Sequence, residues 1–232
     1  MKWLAFATDF DGTIATDGTV DENTIDALRR LRSSGLSVLL VTGRELKDFN
    51  HAPEILDLFD TVVAENGGVL YTPDTKEVQV IAAPPPSGFV EELTRRGIPL
   101  SVGASIVATV EPHEVAVLEV IKDMALELQV IFNKGAVMIL PSGVNKASGL
   151  RVALEVHGIS LNETIAVGDA ENDYTFLEGC GLPVAVANAL PALKERVKYV
   201  TKSNAGAGVT ELIDAVLQGS FENDPQPSEE TV

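Results

Sequence analysis

Two aspartates near the amino terminus, Asp9 and Asp11, are the residues whose type and spacing most clearly suit chemistry. They follow residues 3–7, an apolar run that predicts a buried strand, and precede Gly12-Thr13, which predicts a turn with accessible backbone N–H groups. Open α/β sheets carry their active sites at the carboxyl ends of their strands. Two aspartates there can hold a hard divalent cation and leave one oxygen free for attack. Asp-Gly is also a common turn, so this stretch alone leaves a solvated loop as an alternative.

Three further groups of polar residues lie at the end of a predicted strand or beside one. They are Thr42-Gly43-Arg44 after residues 36–41, Lys146 before a helix at 147–157, and Asp169 to Asp173 with Asn172 after residues 164–167. Each has an ordinary alternative: Thr42 could cap a helix, Lys146 could lie on the surface, and Asp169 could begin a helix with an acidic first turn. Because the carboxyl ends of parallel strands share one edge of a sheet, their common position favours a single site.

Phosphoryl transfer is the chemistry that this set of residues suits. Asp9 and Asp169 can hold Mg²⁺, which offsets the repulsion between a carboxylate and a phosphate monoester. The Thr42 hydroxyl, backbone N–H groups and the Lys146 ammonium can hold the phosphoryl oxygens. We expect Asp9 to attack phosphorus in line and form an aspartyl-phosphate. Asp11 would protonate the leaving oxygen and then activate water, and the acid role requires a raised pKa.

The elements that must position these residues alternate between strands and helices. Apolar runs predict buried strands at 3–7, 36–41, 61–64, 164–167 and 182–186. A helix capped by Asp21 and ended by Gly35 follows the first run, and the amphipathic spacing at 209–217 predicts a final helix. Alternating strands and helices predict a parallel sheet with right-handed crossovers, so the expected fold class is α/β with a Rossmann-like core.

A different pattern occupies the middle of the chain. Residues 69–71 and 78–81 predict a hairpin, and the three prolines at 84–86 predict a stiff linker. Helices and strands then follow in an order typical of a small α+β unit. The expected domains are a core at 1–83 and 143–218, a cap at 84–142, and an acidic, disordered tail at 219–232.

Composition excludes several classes of function. The 232 residues carry a formal charge of −17 with a pI near 4.5, which gives no general attraction for nucleic acid or an anionic membrane. Cys180 is the one cysteine, so no internal disulfide can form and a reducing cytosol suits the chain. No apolar run approaches a membrane span, and Asp9 interrupts the amino terminus too early for a signal peptide. We expect a soluble cytoplasmic protein, either a monomer or a homodimer.

The ordered motifs resemble those of the haloacid dehalogenase superfamily of phosphatases. They are Asp9-Phe10-Asp11-Gly12-Thr13, Thr42-Gly43-Arg44, Lys146 and Gly168-Asp169-Ala170-Glu171-Asn172-Asp173. The resemblance extends over residues 3–217. The insert between the second and third motifs is similar to the family's C2 cap, and residues 64–68 and 186–189 are similar to those of Cof-type and archaeal phosphoglycolate phosphatase-like members. Asp11 argues against the dehalogenase branch, which lacks this second aspartate.

The resemblance implies a role for each matching residue. Asp9 is similar to the nucleophile and Asp11 to the acid/base, while Thr42 and Lys146 resemble phosphate-binding residues. Asp9, the backbone carbonyl of Asp11, and Asp169 resemble the Mg²⁺ ligands. The weaker assignments are Asp173 as a support for Lys146 or the metal shell, Asn172 as a polar contact, and Gly43, Arg44, Asn66 and Asn188 as substrate-facing or loop-structuring residues.

These residues together predict a Mg²⁺-dependent phosphatase for a small phosphorylated metabolite, with phosphoglycolate and small sugar phosphates as the leading candidates. Two alternatives stay open at this point. A phosphomutase would return the phosphoryl group to a sugar hydroxyl. A non-catalytic protein would use the same pocket to sense a phosphorylated ligand.

Overall fold

The computed structural model describes residues 3–221, which fold around an eight-stranded sheet. Its strands are β1 (Ala5–Thr8), β2 (Ser37–Val41), β3 (Thr61–Ala64), β4 (Val69–Thr72), β5 (Glu77–Val80), β10 (Thr164–Gly168), β11 (Leu182–Ala185) and β12 (Tyr199–Val200). Their order across the sheet is β12-β11-β10-β1-β2-β3-β4-β5. Neighbouring strands from β12 to β3 are parallel, whereas β4 and β5 are antiparallel. The predicted α/β class with a parallel core is confirmed.

Helices cover the strands of this sheet. They are α1 (Glu22–Ser33), α4 (Lys146–His157), α5 (Tyr174–Glu178), α6 (Pro191–Lys194) and α7 (Ala205–Leu217). Helix α1 begins as predicted, because the Asp21 side chain accepts a hydrogen bond from the Thr24 N–H. Helix α1 packs against α7, and α4 packs against α5. Strands β1, β3, β10 and β11 are buried along their whole length, which is typical of a parallel sheet covered on both faces.

The register of the central strands brings the polar residues to one edge. Strand β1 lies between β2 and β10, and Thr8 is level with Leu40 and Val167. The residues that follow these strands therefore leave the sheet side by side at its carboxyl edge. Asp9 continues the ladder for one more step, because its N–H donates to the Val167 carbonyl at 3.0 Å.

A second, four-stranded antiparallel sheet has the order β6-β7-β9-β8. Its strands are β6 (Ser101–Val102), β7 (Val107–Val110), β8 (Leu128–Asn133) and β9 (Ala136–Pro141), and its helices are α2 (Ser87–Arg95) and α3 (Glu114–Asp123). Phe89, Leu93, Val120 and Ile139 belong to a hydrophobic cluster of its own, separate from the one around the large sheet. The boundaries at 84–142, and the action of this unit as a cap, stay predictions.

The predicted carboxyl-terminal tail begins beside the core, and its boundary at residue 219 stays a prediction. The disordered tail was expected from residue 219, but Phe221 packs its ring edge-on against Tyr199, and its carbonyl accepts a hydrogen bond from the Trp3 indole at 3.3 Å. Phe221 is partly buried against the core, and this apolar contact accounts for its position. The rest of that predicted tail, residues 222–232, lies outside the described residues. Among residues 3–221, no helix combines the length and the apolar character that crossing a membrane requires.

Candidate active site

The loop after β1 places Asp9 at the centre of a buried polar cluster. Asp9 is 5% exposed, and its Oδ2 accepts a hydrogen bond from the Thr13 hydroxyl at 3.0 Å. Gly12 has φ +86°, and a Cβ on it would lie 2.3 Å from Asp169 Oδ2. A glycine is therefore required here by both the backbone conformation and the space, which explains why Asp-Gly follows the strand. The turn brings the first and last predicted motifs into contact.

Lys146 is the first residue of α4 and is 1% exposed. Its Nζ lies 2.5 Å from Asp9 Oδ1 and 2.6 Å from Asp173 Oδ1. The start of α4 can reach this position because residue 67 is glycine, since a Cβ there would lie 2.0 Å from the Asn145 carbonyl oxygen. A buried ammonium needs such partners, because removing a charge from water costs several kcal/mol. The surface alternative for Lys146 is therefore wrong.

Asp173 supports this arrangement with both of its carboxylate oxygens. Its Oδ1 contacts Lys146, and its Oδ2 accepts hydrogen bonds from the backbone N–H groups of Asp169 and Ala170 at 2.8 and 2.9 Å. A carboxylate engaged in this way orients its neighbours. The contacts favour the support of Lys146 over direct metal ligation, although both were expected of this residue.

Three carboxylates could share a metal ion. Asp9, Asp169 and Asp173 each offer one oxygen, and these oxygens all lie within 4.8 Å of one another. The Lys134 ammonium also lies 2.7 Å from Asp169 Oδ2 and 2.9 Å from the Asp11 carbonyl oxygen, so a cation already contacts two of the predicted ligand atoms. Mg²⁺ prefers oxygen ligands, and all of these ligand atoms are oxygens, two of which already contact a positive charge, the Lys134 ammonium. The residues present therefore suit the metal that the motifs imply.

Protonation in the cluster reflects this crowding of negative charge. Burial and the adjacent Asp173 carboxylate raise the pKa of Asp9 to about 7, although Lys146 acts in the opposite direction. Burial also raises the pKa of Asp169, against the lowering effect of Lys134. Burial lowers the pKa of Lys146, but the Asp173 and Asp9 carboxylates outweigh it and the net shift is upward. Nearby positive charge stabilises the ionised aspartates, and a divalent cation would do so further.

Asp11 and Arg44 form a bidentate ion pair. Arg44 Nε lies 2.7 Å from Asp11 Oδ2 and Nη2 lies 2.6 Å from Oδ1, while the guanidinium lies 4.8 Å from the centre of the Phe10 ring and 5.8 Å from that of Phe49. This geometry holds the Asp11 carboxylate at the mouth of the site. For Asp11 to protonate a leaving group, at least one of the Asp11 carboxylate oxygens has to separate from Arg44.

The remaining predicted residues around the phosphate position lie on the neighbouring loops. Thr42 is buried, and its hydroxyl oxygen accepts a hydrogen bond from the Arg44 N–H at 3.1 Å. Asn172 Nδ2 donates to Asn66 Oδ1 at 3.1 Å, and Gly43 lies beside Asn172. Within residues 3–221, Asn66 Nδ2 and Asn172 Oδ1 are buried without a hydrogen-bond partner. Unpaired buried amide groups beside the carboxylates are available to a polar ligand.

Asn188 has a structural role in these contacts. Its Nδ2 donates to the Gly12 carbonyl at 2.7 Å, and its Oδ1 accepts from the Ala205 N–H at 2.6 Å. Both ends of the amide thus connect the loop after β1 with the start of α7. The contacts favour the loop-structuring alternative over the expected phosphate contact.

A cavity of about 240 Å³ lies between the carboxyl edge of the large sheet and the second sheet. Asp11, Arg44 and Glu45 line it from one side, and Ile106, Asn133 and Met138 line it from the other. Its size suits a metabolite of a few carbon atoms.

Two residues that were not predicted as site residues join the second sheet to the site. Lys134 reaches the carboxylates from the turn between β8 and β9, and a Lys-Gly pair gives no signal beyond an ordinary hairpin turn. The Glu65 carboxylate is buried and accepts hydrogen bonds from the backbone N–H groups of Ala104, Ser105 and Ile106 at 2.6 to 3.0 Å. A charged residue directly after a buried strand was the available signal for Glu65.

Comparison with known proteins identifies relatives over most of the chain. The sequence profile of the haloacid dehalogenase-like hydrolases matches residues 6–95 and 110–213. A phosphoglycolate phosphatase from Methanothermobacter thermautotrophicus is 33% identical over 218 residues, which cover 90% of this chain and 96% of that protein. A phosphoglycolate phosphatase from Methanosarcina acetivorans is 29% identical over 221 residues, which cover 92% of this chain and 96% of that protein.

The fold also matches a solved structure. A haloacid dehalogenase-like hydrolase from Bacteroides thetaiotaomicron superposes with a TM-score of 0.80 at 19% sequence identity. The alignment covers 92% of this chain and 99% of that chain, so the two share the whole fold.

Proposed function

We propose a substrate and a mechanism for this chain on the basis of its family: it belongs to the haloacid dehalogenase-like hydrolases of the Cof type, and it is a phosphatase. Membership in this family of enzymes removes the non-catalytic sensor from the alternatives. The proposed reaction is the hydrolysis of a small phosphate monoester through an aspartyl-phosphate on Asp9. The contact of Lys146 with Asp9 at 2.5 Å is the observation that carries it.

Asp9 is the proposed nucleophile because its surroundings orient it. Lys146 holds Oδ1 and Thr13 holds Oδ2, so the carboxylate is fixed at the edge of the cavity. An approaching phosphate is repelled by the carboxylate, and the Lys146 ammonium offsets part of that repulsion. Attack forms a bond between an Asp9 oxygen and phosphorus and breaks the bond to the leaving oxygen.

Asp11 is the proposed acid and base. It lines the same cavity as Asp9 and lies two residues along the chain, where it can protonate the leaving oxygen and then take a proton from water. Asp9, the Asp11 carbonyl and Asp169 would hold Mg²⁺. Bound there, Mg²⁺ would supply positive charge to the phosphoryl oxygens.

Phosphoglycolate is the proposed substrate. Two relatives that align over nine-tenths of this chain carry the name phosphoglycolate phosphatase. The cavity is small, and Arg44 already holds a carboxylate there in bidentate fashion. The carboxylate of phosphoglycolate could take the place of Asp11 on Arg44, and the exchange would free Asp11 for proton transfer.

The test compares phosphoglycolate with 2-hydroxyethyl phosphate, which keeps the phosphoryl group and loses the carboxylate. In the presence of Mg²⁺, we expect phosphate release from both and a kcat/KM at least about tenfold higher for phosphoglycolate. Arg44→Gln should remove most of that preference. Equal kcat/KM values would contradict the substrate assignment. In a parallel assay with a sugar phosphate as the substrate, an isomerised product without phosphate release would favour the phosphomutase.

A further inference from the structure

Lys134 lies at the tip of the hairpin formed by β8 and β9. Asn133 pairs with Ala136, so Lys134 and Gly135 form a two-residue turn with φ +48° and +83°. The Gly135 carbonyl accepts a hydrogen bond from the Glu111 N–H at 3.0 Å, which braces the tip within the second sheet. The turn therefore projects the Lys134 side chain from the second sheet onto the loop after β1.

The contacts of this side chain coincide with the proposed metal position. Its Nζ lies 2.7 Å from Asp169 Oδ2 and 2.9 Å from the Asp11 carbonyl oxygen, two of the three proposed Mg²⁺ ligand atoms. Magnesium requires its oxygens at about 2.0–2.1 Å in near-octahedral geometry. An ammonium on the same two oxygens would lie within a few ångströms of the dication, where the two charges repel strongly.

We propose that Lys134 and a divalent cation compete for Asp169 and the Asp11 carbonyl, so that cation binding releases the tip of the β8–β9 hairpin from the catalytic loop. Lys134 has room to leave, because a second cavity of about 430 Å³ borders its side chain beside Asp17 and Asn204. The linkage is reciprocal: an undocked Lys134 favours the cation, and a docked Lys134 opposes it. Lys134 thus couples the position of the second sheet to metal loading.

The inference rests on the metal site proposed above, and calorimetric titration of the full chain with MgCl₂ tests both. Lys134→Met keeps the length of the side chain and removes its charge, and we expect it to bind Mg²⁺ about fivefold or more tightly than the parent. Lys47→Met is the matched control, because Lys47 is similarly exposed and is paired with one carboxylate, Glu45. Screening in solvent should keep the control within about twofold of the parent.

The outcomes separate the two ideas. Equal Mg²⁺ affinity in the parent and Lys134→Met would overturn the competition and leave the metal site standing. The absence of Mg²⁺ binding in both proteins would overturn both proposals. An equal gain in Lys134→Met and Lys47→Met would reveal a general charge effect and would also overturn the competition.

Amide hydrogen exchange of residues 128–136 gives a second readout that does not depend on activity. In the parent, addition of Mg²⁺ should speed exchange at the hairpin tip, because the Lys134 contacts are lost. In Lys134→Met, the tip should exchange rapidly with or without Mg²⁺. Unchanged exchange in the parent at a saturating Mg²⁺ concentration would contradict the proposal.

Discussion

Lys146 and Lys134 both place an ammonium group on the carboxylates at the end of the central strands, but they do so from different parts of the fold. Lys146 is fully buried at the first turn of α4 and contacts Asp9 and Asp173. The Lys134 side chain is 46% exposed at the tip of a hairpin and contacts Asp169 and the Asp11 carbonyl. A buried charge on a packed helix is fixed in place, whereas a half-exposed one on a turn can exchange its partner. The first arrangement suits a permanent part of a phosphate site, and the second suits a replaceable contact.

We expect the largest effect from removal of the Lys146 charge. Lys146→Met leaves Asp9 and Asp173 buried without their cation, and we expect a loss of about 3–5 kcal/mol in the free energy of unfolding. Lys134→Met should cost less than that, because the Lys134 side chain is 46% exposed and water can take its place beside the buried Asp169 carboxylate. Urea denaturation of the two variants, with chelator present, measures both values. Similar losses in the two would contradict the distinction.

A smaller effect concerns the pH dependence of stability at Asp9. Burial raises the pKa of Asp9 to about 7, so the folded protein binds this proton more tightly than the unfolded chain does. The stabilisation from the proton is complete below pH 3.8 and is lost as the pH rises through about 7. Asn at this position cannot titrate.

The difference between Asp9→Asn and the parent reports this loss directly. Relative to the parent, Asp9→Asn should gain about 2–3 kcal/mol in the free energy of unfolding between pH 5 and pH 8, measured with chelator present. Asp57→Asn, at an exposed aspartate, is the control and should show no such trend. If the free energy of unfolding of Asp9→Asn fell relative to the parent as the pH rose, Lys146 alone would be sufficient to stabilise Asp9 as a carboxylate.

The smallest effect tests what holds the second sheet against the site. Glu65→Gln keeps the shape of the side chain but turns one acceptor oxygen into a donor that faces backbone N–H groups, so we expect a loss of about 1–2 kcal/mol. Glu45→Gln is the matched change on the neighbouring loop, where Ser101 donates the one hydrogen bond from the second sheet. The loss of stability measured by thermal unfolding should be smaller for Glu45→Gln than for Glu65→Gln. Equal losses would show that Glu65 has no special part in docking the second sheet.

Much of the fold could be predicted from the sequence, and so could the part of the site that contains Asp9, Asp169 and Lys146. Apolar runs end directly at Asp9, Thr42 and Asp169, and parallel strands bring such ends together, so local pattern and topology sufficed. The contact of Lys146 with Asp9 spans 137 residues, but a lysine beside the same edge could be inferred from the strand order.

The contacts of Lys134 with the site could not be predicted in this way. Lys134 contacts the site because the second sheet sits over the loop after β1, and the placement of one sheet on another has no periodicity in the sequence. The sequence left Asn188 open between a substrate-facing and a loop-structuring role, and its contacts with Gly12 and Ala205 favour the second, since the partner of an amide side chain depends on loop geometry. Phe221 falls within the predicted tail because its neighbours are polar, and nothing local to the sequence indicates its packing on Tyr199, 22 residues away.

The covalent role of Asp9 can be tested by rapid quenching of turnover with phosphoglycolate and Mg²⁺, followed by mass spectrometry of the peptide that contains residues 5–13. We expect one added phosphoryl group on Asp9 during turnover and none in Asp9→Asn, which should also release no phosphate. A phosphoryl group on another residue, or phosphate release by Asp9→Asn at the parent rate, would contradict it.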